Sequence, residues 1–172
     1  MDKNLIKLTE SAILVALAVA LEFVSKLIPI LQMPQGGSVS IAMLPVIIIG
    51  YKNGLFYGVL SGLTYGIINF LVDGYAFHWG SFAFDYTLAF MALGLTGVIK
   101  NAYSNKIVLF NIGIIIVGFF RFVFHVISGV FFFESGIWAS VVYNGPYMLG
   151  SIILCMLIGS LTYNRLGAIM KA

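Results

Sequence analysis

The sequence predicts an all-α integral membrane protein, a bundle of six transmembrane helices with its N- and C-termini cytoplasmic. Three observations lead there. Of 172 residues, 61% are hydrophobic and only 9% charged, with a mean hydropathy of +1.07, so the solvent for much of this chain is lipid. The apolar residues gather into six stretches, and roughly 20 residues per crossing plus short turns uses up the length as a single domain, residues 1–172. The basic residues then sort to one side of the six crossings.

The first stretch runs from Leu8 to Ile30. Lysines precede it as in a signal peptide, but no A-x-A-like cleavage site follows, so it reads as a retained helix. Pro29 and Pro34 bracket the first turn, and Gln35, Gly36, Gly37 and Ser38 supply a flexible polar loop. The second stretch, Val39 to Gly50, is too short to cross unaided; tilt, extension into its loops and a partly re-entrant path all stay open. Lys52-Asn53-Gly54 marks a turn before the third stretch, Leu55 to Val72. The fourth runs from Ser81 to Ile99, and the polar residues from Lys100 to Lys106 separate it from the fifth, Ile107 to Phe132. The sixth runs from Trp138 to Tyr163.

With a cytoplasmic start, Lys3, Lys7, Lys52, Lys100, Lys106, Arg165 and Lys171 all fall inside, while Lys26 alone lies near the outer ends. Asp73, His78, Trp79 and Glu134 fall at the outer surface. The net charge of +3 therefore reports membrane topology, and nucleic acid is not an expected partner. The single cysteine, Cys155, excludes disulfides within the chain and thiolate metal clusters. Neither His78 nor His125 has a cysteine or paired carboxylate at ligand spacing, so no metal is expected.

Asp85, Arg121, His125 and Asn144 lie inside apolar stretches, where ionisable and amide groups are costly and need a reason. At about 1.5 Å of rise per residue, Asp85 lies roughly 7 Å from the outer end of its helix, Asn144 about 9 Å, His125 about 10 Å and Arg121 about 16 Å. Arg121 and His125 share one helix face at i and i+4, and Gly129 extends that face one turn outward. The convergence predicts a pocket open to the outside. A buried Asp85–Arg121 ion pair, with His125 and Asn144 serving helix packing, is the competing explanation.

Aromatic residues are 15% of the chain and cluster toward the same side, in 75–79, 82–86, 131–133, Trp138 and 143–147. An interfacial belt accounts for many of them, yet an aromatic-lined pocket with a carboxylate also suits a flat organic cation. Gly54, Gly58, Gly62 and Gly66 recur every four residues, as do Ala12, Ala16 and Ala20. Small residues at that spacing let helices approach closely, either within the chain or against a partner helix. Motifs for ATP hydrolysis, zinc proteolysis and nucleophilic catalysis are missing from the sequence, so no enzyme is expected, and a binding pocket without a motor points to a subunit.

Met33-Pro34-Gln35-Gly36-Gly37-Ser38-Val39-Ser40-Ile41 with Met43-Leu44-Pro45 resembles the first loop and second helix of thiamine-specific S-components of energy-coupling factor transporters. Asp85-Tyr86 with Ala89-Phe90, Arg121-x-x-x-His125-Val126-Ile127-Ser128-Gly129, and Tyr143-Asn144 with Tyr147-Met148 match that family in order and spacing. The resemblance implies a multi-pass protein of the bacterial plasma membrane, with the six-helix S-component fold, that captures thiamine from outside. It further implies a transmembrane coupling subunit and two ATPase subunits as partners, with no cofactor of its own.

By the same resemblance Asp85, His125 and Asn144 hold the aminopyrimidine ring with help from Tyr86, while Phe131 to Phe133 and Trp138 stack near the thiazolium. Tyr143, Gly129 and Arg121 complete the ligand set. The loop from Met33 to Ser38 is the implied gate, and Ala12, Ala16 and Ala20 the implied face for the coupling subunit. The chain departs from the family pattern at Ala139, where many relatives carry tyrosine, and before the sixth helix, where Phe133 or Trp138 takes the place of a loop tryptophan. Another vitamin or a thiamine precursor as ligand stays open, as does a structural or assembly protein with no ligand.

Overall fold

A computed structural model of the chain describes residues 2–34, 36–73, 76, 78–99 and 107–171. Lys100 and Lys106 of the basic set, and Tyr75 and Phe77 of the aromatic set, lie outside the described residues. Within them the chain is helical: α1 Lys3–Lys26, α2 Met43–Asn53, α3 Leu55–Asp73, α4 Trp79–Val98, α5 Ile107–Phe132 and α6 Ile137–Lys171. All but α2 are long and apolar enough to cross a membrane.

Asp2 caps α1 by accepting the Asn4 N–H at 3.0 Å, which starts the helix ahead of the apolar stretch. It stops at Lys26, before Pro29, whose ring disfavours helix in the residue preceding it. At the N-terminal end of α1, Lys52 pairs with Glu10 at 2.7 Å and Asn53 donates to the Lys7 carbonyl at 3.3 Å, so the end of α2 is fixed to the start of α1.

The short second stretch resolves into two parts. Its helix, α2, has 11 residues, about 16 Å by helical rise and roughly half of a hydrocarbon core. It lies at the centre of the bundle, with every residue from Met43 to Gly50 buried. The described residues of the other half of the crossing are non-helical chain. Such backbone survives at membrane depth only where protein satisfies it, and several of its groups find partners here. Val39 N–H donates to the Leu31 carbonyl at 2.8 Å and Met33 N–H to the Gly37 carbonyl at 2.9 Å, closing a small hairpin through Gln32 and Ser38. Ser40 N–H donates to the Ser151 hydroxyl of α6 at 3.0 Å, and Ala42 N–H to the Ser40 hydroxyl at 3.0 Å.

The glycines of α3 pack within the chain. A Cβ on Gly58 would lie 2.7 Å from the Gly94 carbonyl oxygen of α4, and one on Gly62 only 2.8 Å from the Phe90 carbonyl carbon. Gly66 sits in the same way against the Tyr86 backbone. Against this contact α4 leaves regular α geometry: Phe82–Leu88 is wound as π-helix and Ala92–Val98 as 3-10 helix. Wide turns of this kind recur at functional sites, and this one carries Asp85 and Tyr86. Thr96 ties the tightened end to α2 by donating to the Ile47 carbonyl at 2.9 Å.

α6 runs to Lys171, past the apolar stretch that ends at Tyr163, and holds Pro146 in its interior. That proline has no N–H for the carbonyl one turn back, which loosens the helix beside Asn144 and Tyr147.

Replacing Gly62 with valine is expected to destabilise the bundle by about 2–3 kcal/mol through overpacking against α4. Gly145, around which a Cβ meets open space, is the control: Gly145→Ala should be neutral or stabilising by about 0.5–1 kcal/mol. Thermal unfolding of the two purified variants in detergent checks the contrast.

Candidate functional site

Where α2 stops short, five helix ends and the hairpin surround a cavity of about 420 Å³. This is the size range of small-molecule sites. α1 contributes Glu22, α3 Asn69, α4 Asp85 and Tyr86, α5 Arg121 and His125, and α6 Tyr143 and Asn144, with Gly36, Gly37 and Ser38 across them. The cavity lies near the end of the bundle away from both chain termini.

Asp85 sits on the π turn and faces α5. His125 Nδ1 donates to its Oδ1 at 2.8 Å and the Ser128 hydroxyl to its Oδ2 at 2.5 Å. Arg121 Nε donates in turn to His125 Nε2 at 3.3 Å. With Nδ1 donating and Nε2 accepting, a single neutral tautomer of the imidazole serves both neighbours. The guanidinium also lies 4.2 Å from the centre of the Phe90 ring, a cation-π contact at the cavity floor. Among the described residues no direct Asp85–Arg121 ion pair forms: Arg121 reaches Asp85 through His125 and clamps the imidazole.

On α6 the Tyr147 hydroxyl donates to Asn144 Oδ1 at 2.6 Å, and Asn144 Nδ2 donates to the Ser140 carbonyl at 2.9 Å. This fixes which way the amide faces. Gly129 lets Ser140 approach α5 closely, since a Cβ there would lie 3.1 Å from the Ser140 Cβ. The hairpin is fastened over the cavity on two sides. Tyr143 donates to the Gly36 carbonyl at 2.9 Å, and Ser38 donates to Glu22 Oε1 at 2.8 Å. Gly36 and Gly37 both hold φ of +89°, which a side chain would strain, and Gly37 packs on the Tyr147 ring.

Asp85, Tyr86, Arg121, His125, Gly129, Phe133, Tyr143 and Asn144 thus come together, as do Gly36, Gly37 and Ser38 of the loop. Pro34 does not reach the cavity, and Gln35 lies outside the described residues. Trp138 is also absent from the lining and is 78% exposed. Helical spacing explains this: Ala139 and Tyr143, four apart, face inward, and Trp138 is turned about 100° from Ala139. Phe131 likewise points outward, and Phe132 stacks on His78. Of the aromatic group expected around a cationic ring, Phe133 alone lines the cavity.

Sequence reasoning missed Glu22 and Asn69, together with Phe90, Ser135, Ser140 and Tyr147. For Glu22 the signal was present, because a carboxylate inside the apolar stretch Leu8 to Ile30 carries the same cost as Asp85. Ser128, which completes the hydrogen bonding of Asp85, stood in the His125 motif without a role of its own, since serines are common packing residues between membrane helices. Among the described residues no three His, Cys, Asp or Glu side chains gather to hold a metal ion. Carboxylates, amides and hydroxyls set among tyrosines and phenylalanines can bind a flat heteroaromatic molecule by hydrogen bonds at its edge and stacking on its faces.

The chain is similar to known proteins along nearly its whole length. Residues 8–170 match the family described as Thiamine transporter protein. The thiamine transporter ThiT of Bacillus subtilis (strain 168) is 35% identical over 188 aligned positions, spanning 99% of this chain and 97% of the relative. A solved structure of ThiT from Listeria monocytogenes superposes with a TM-score of 0.82 at 27% identity, covering 96% of this chain and 99% of that one. Near full-length agreement in both sequence and fold means that the chain belongs to the thiamine transporter protein family, a family of multi-pass membrane transporters rather than enzymes.

Proposed function

We propose that this protein is a thiamine-specific S-component: it captures thiamine from the extracellular side and delivers it for ATP-driven uptake by an energy-coupling factor complex. The observation that carries the binding step is the Arg121–His125–Asp85–Ser128 chain beside Asn144, facing one cavity of about 420 Å³. Asp85 and Asn144 answer the donors and acceptors of the aminopyrimidine edge, and Tyr86, Tyr143 and Phe133 supply ring faces for the rest of the ligand. The hairpin over the cavity acts as the gate, held closed through Tyr143 and Ser38.

Orientation follows from charge. The end that carries Lys7, Glu10 and Lys52 faces the cytoplasm with both termini, as the positive-inside rule favours, so the cavity opens outward. Ala12, Ala16 and Ala20 are exposed along one side of α1. Whereas the glycine face of α3 is occupied by α4, no described residue covers this alanine face, and it is the surface we assign to the transmembrane coupling subunit, with two ATPase subunits beneath. The chain forms one substrate-binding domain.

Titration calorimetry of the purified protein with thiamine is expected to give tight, saturable one-to-one binding, and its absence would sink the proposal. Calorimetry suits the site better than intrinsic fluorescence, because Trp79 and Trp138 are both largely exposed and outside the cavity lining. Asp85→Asn and His125→Ala should each weaken thiamine by about 2–4 kcal/mol, some thirtyfold or more, while circular dichroism stays helical. Affinity within twofold of the unaltered protein in both variants would move the ligand elsewhere. In membranes, Ala16→Cys in a chain whose buried Cys155 is replaced by serine should cross-link to a co-expressed coupling subunit bearing a cysteine, and Leu149→Cys, exposed on α6, should not.

A further inference from the structure

The cavity holds two carboxylates, and their surroundings differ. Asp85 is joined through His125 to the positive charge of Arg121. Glu22, only 9% exposed on α1, is met among the described residues by two hydroxyls: Ser38 donates to Oε1 at 2.8 Å and Tyr65 donates to Oε2 at 3.3 Å. Among the described residues no Lys, Arg or His pairs with it. One hydroxyl on each oxygen leaves further lone pairs on both. A carboxylate so enclosed is costly without a positive charge nearby.

We propose that Glu22 is the counter-charge for the cationic ring of the ligand, a specificity-determining role that rests on the thiamine proposal above. The division of labour follows from chemistry. The pyrimidine half offers hydrogen-bonding atoms, which the Asp85, His125 and Asn144 group can meet. The quaternary nitrogen of a thiazolium has no N–H, so its charge is recognised by attraction rather than by a directional bond. Glu22 can therefore hold Ser38 and Tyr65 and still attract the cation. Being on α1, it approaches the cavity from a different helix than Asp85, which lets each half of the ligand meet its own carboxylate. Because Ser38 belongs to the hairpin, the same residue joins charge recognition to the closed gate.

Two ligands separate charge from shape: thiamine, and an analogue in which a neutral thiophene ring replaces the thiazolium. Calorimetry on the full chain should find that Glu22→Gln weakens thiamine about ten- to a hundredfold while changing the neutral analogue no more than about threefold. Ser38→Ala, which loosens the hairpin and leaves the charge, should weaken both ligands by the same factor. Glu22→Asp keeps the charge on a shorter stem and should keep the preference for thiamine over the neutral analogue. Equal loss of both ligands in Glu22→Gln, no loss of either, or a lost preference in Glu22→Asp overturns the assignment alone. Absence of thiamine binding to the unaltered protein overturns it together with the function it rests on.

Discussion

A peptide group inside a bilayer has no water to bond to, and leaving one unpaired costs several kcal/mol. Lipid removes the usual compensation as well, since apolar side chains gain little by leaving hydrocarbon for a protein core, and single dispersion contacts are worth about 0.1–0.2 kcal/mol. The non-helical backbone described between Leu31 and Met43 is therefore the feature on which the rest depends. It survives because the hairpin pairs its own strands and because Ser40 and Ser151 supply a donor and acceptors to the remainder. Its consequence is functional: half of a helix is missing from the centre of the bundle, and the cavity occupies the end where α2 stops.

Around that opening, close packing is arranged by residues without side chains. Gly58, Gly62 and Gly66 bring the backbone of α3 against that of α4. The partner surface is the part of α4 that unwinds into π and then tightens into 3-10 geometry. The π turn sets the direction of Asp85 toward His125 and Ser128, with Tyr86 lining the same wall. A glycine face that looks like generic helix packing thus fixes where the carboxylate of the site stands.

The polar groups of the site are largely bonded to one another: Arg121 to His125, His125 and Ser128 to Asp85, Tyr147 to Asn144, and Asn144 to Ser140. Such a network costs little to bury because its members are paired, and it holds its ligand-facing atoms in place before a ligand arrives. The hairpin is different in kind. It is fastened to its surroundings by a few side-chain hydrogen bonds, from Tyr143 to the Gly36 carbonyl, from Ser38 to Glu22 and from Ser151 to the Ser38 carbonyl.

Fold class was legible because hydrophobicity in long runs has one economical solution in lipid, and the positions of Asp85, His125 and Asn144 were legible because polar groups in such runs are expensive. Glu22 carried the same signal on α1. What the sequence could not convey is direction. Trp138 and Ala139 are neighbours in the chain, yet only the second faces the cavity, and which face of α6 turns inward depends on its packing against α5. The same limit applied to Arg121: spacing put it on the face of His125, but only the tertiary structure decided that it bonds the imidazole and the Phe90 ring instead of Asp85. Composition and periodicity thus determined that this chain is a membrane bundle with costly groups at one end. Tertiary packing decided which of them meet, because helix rotation and the non-helical half of the second crossing arise from contacts between segments far apart in sequence.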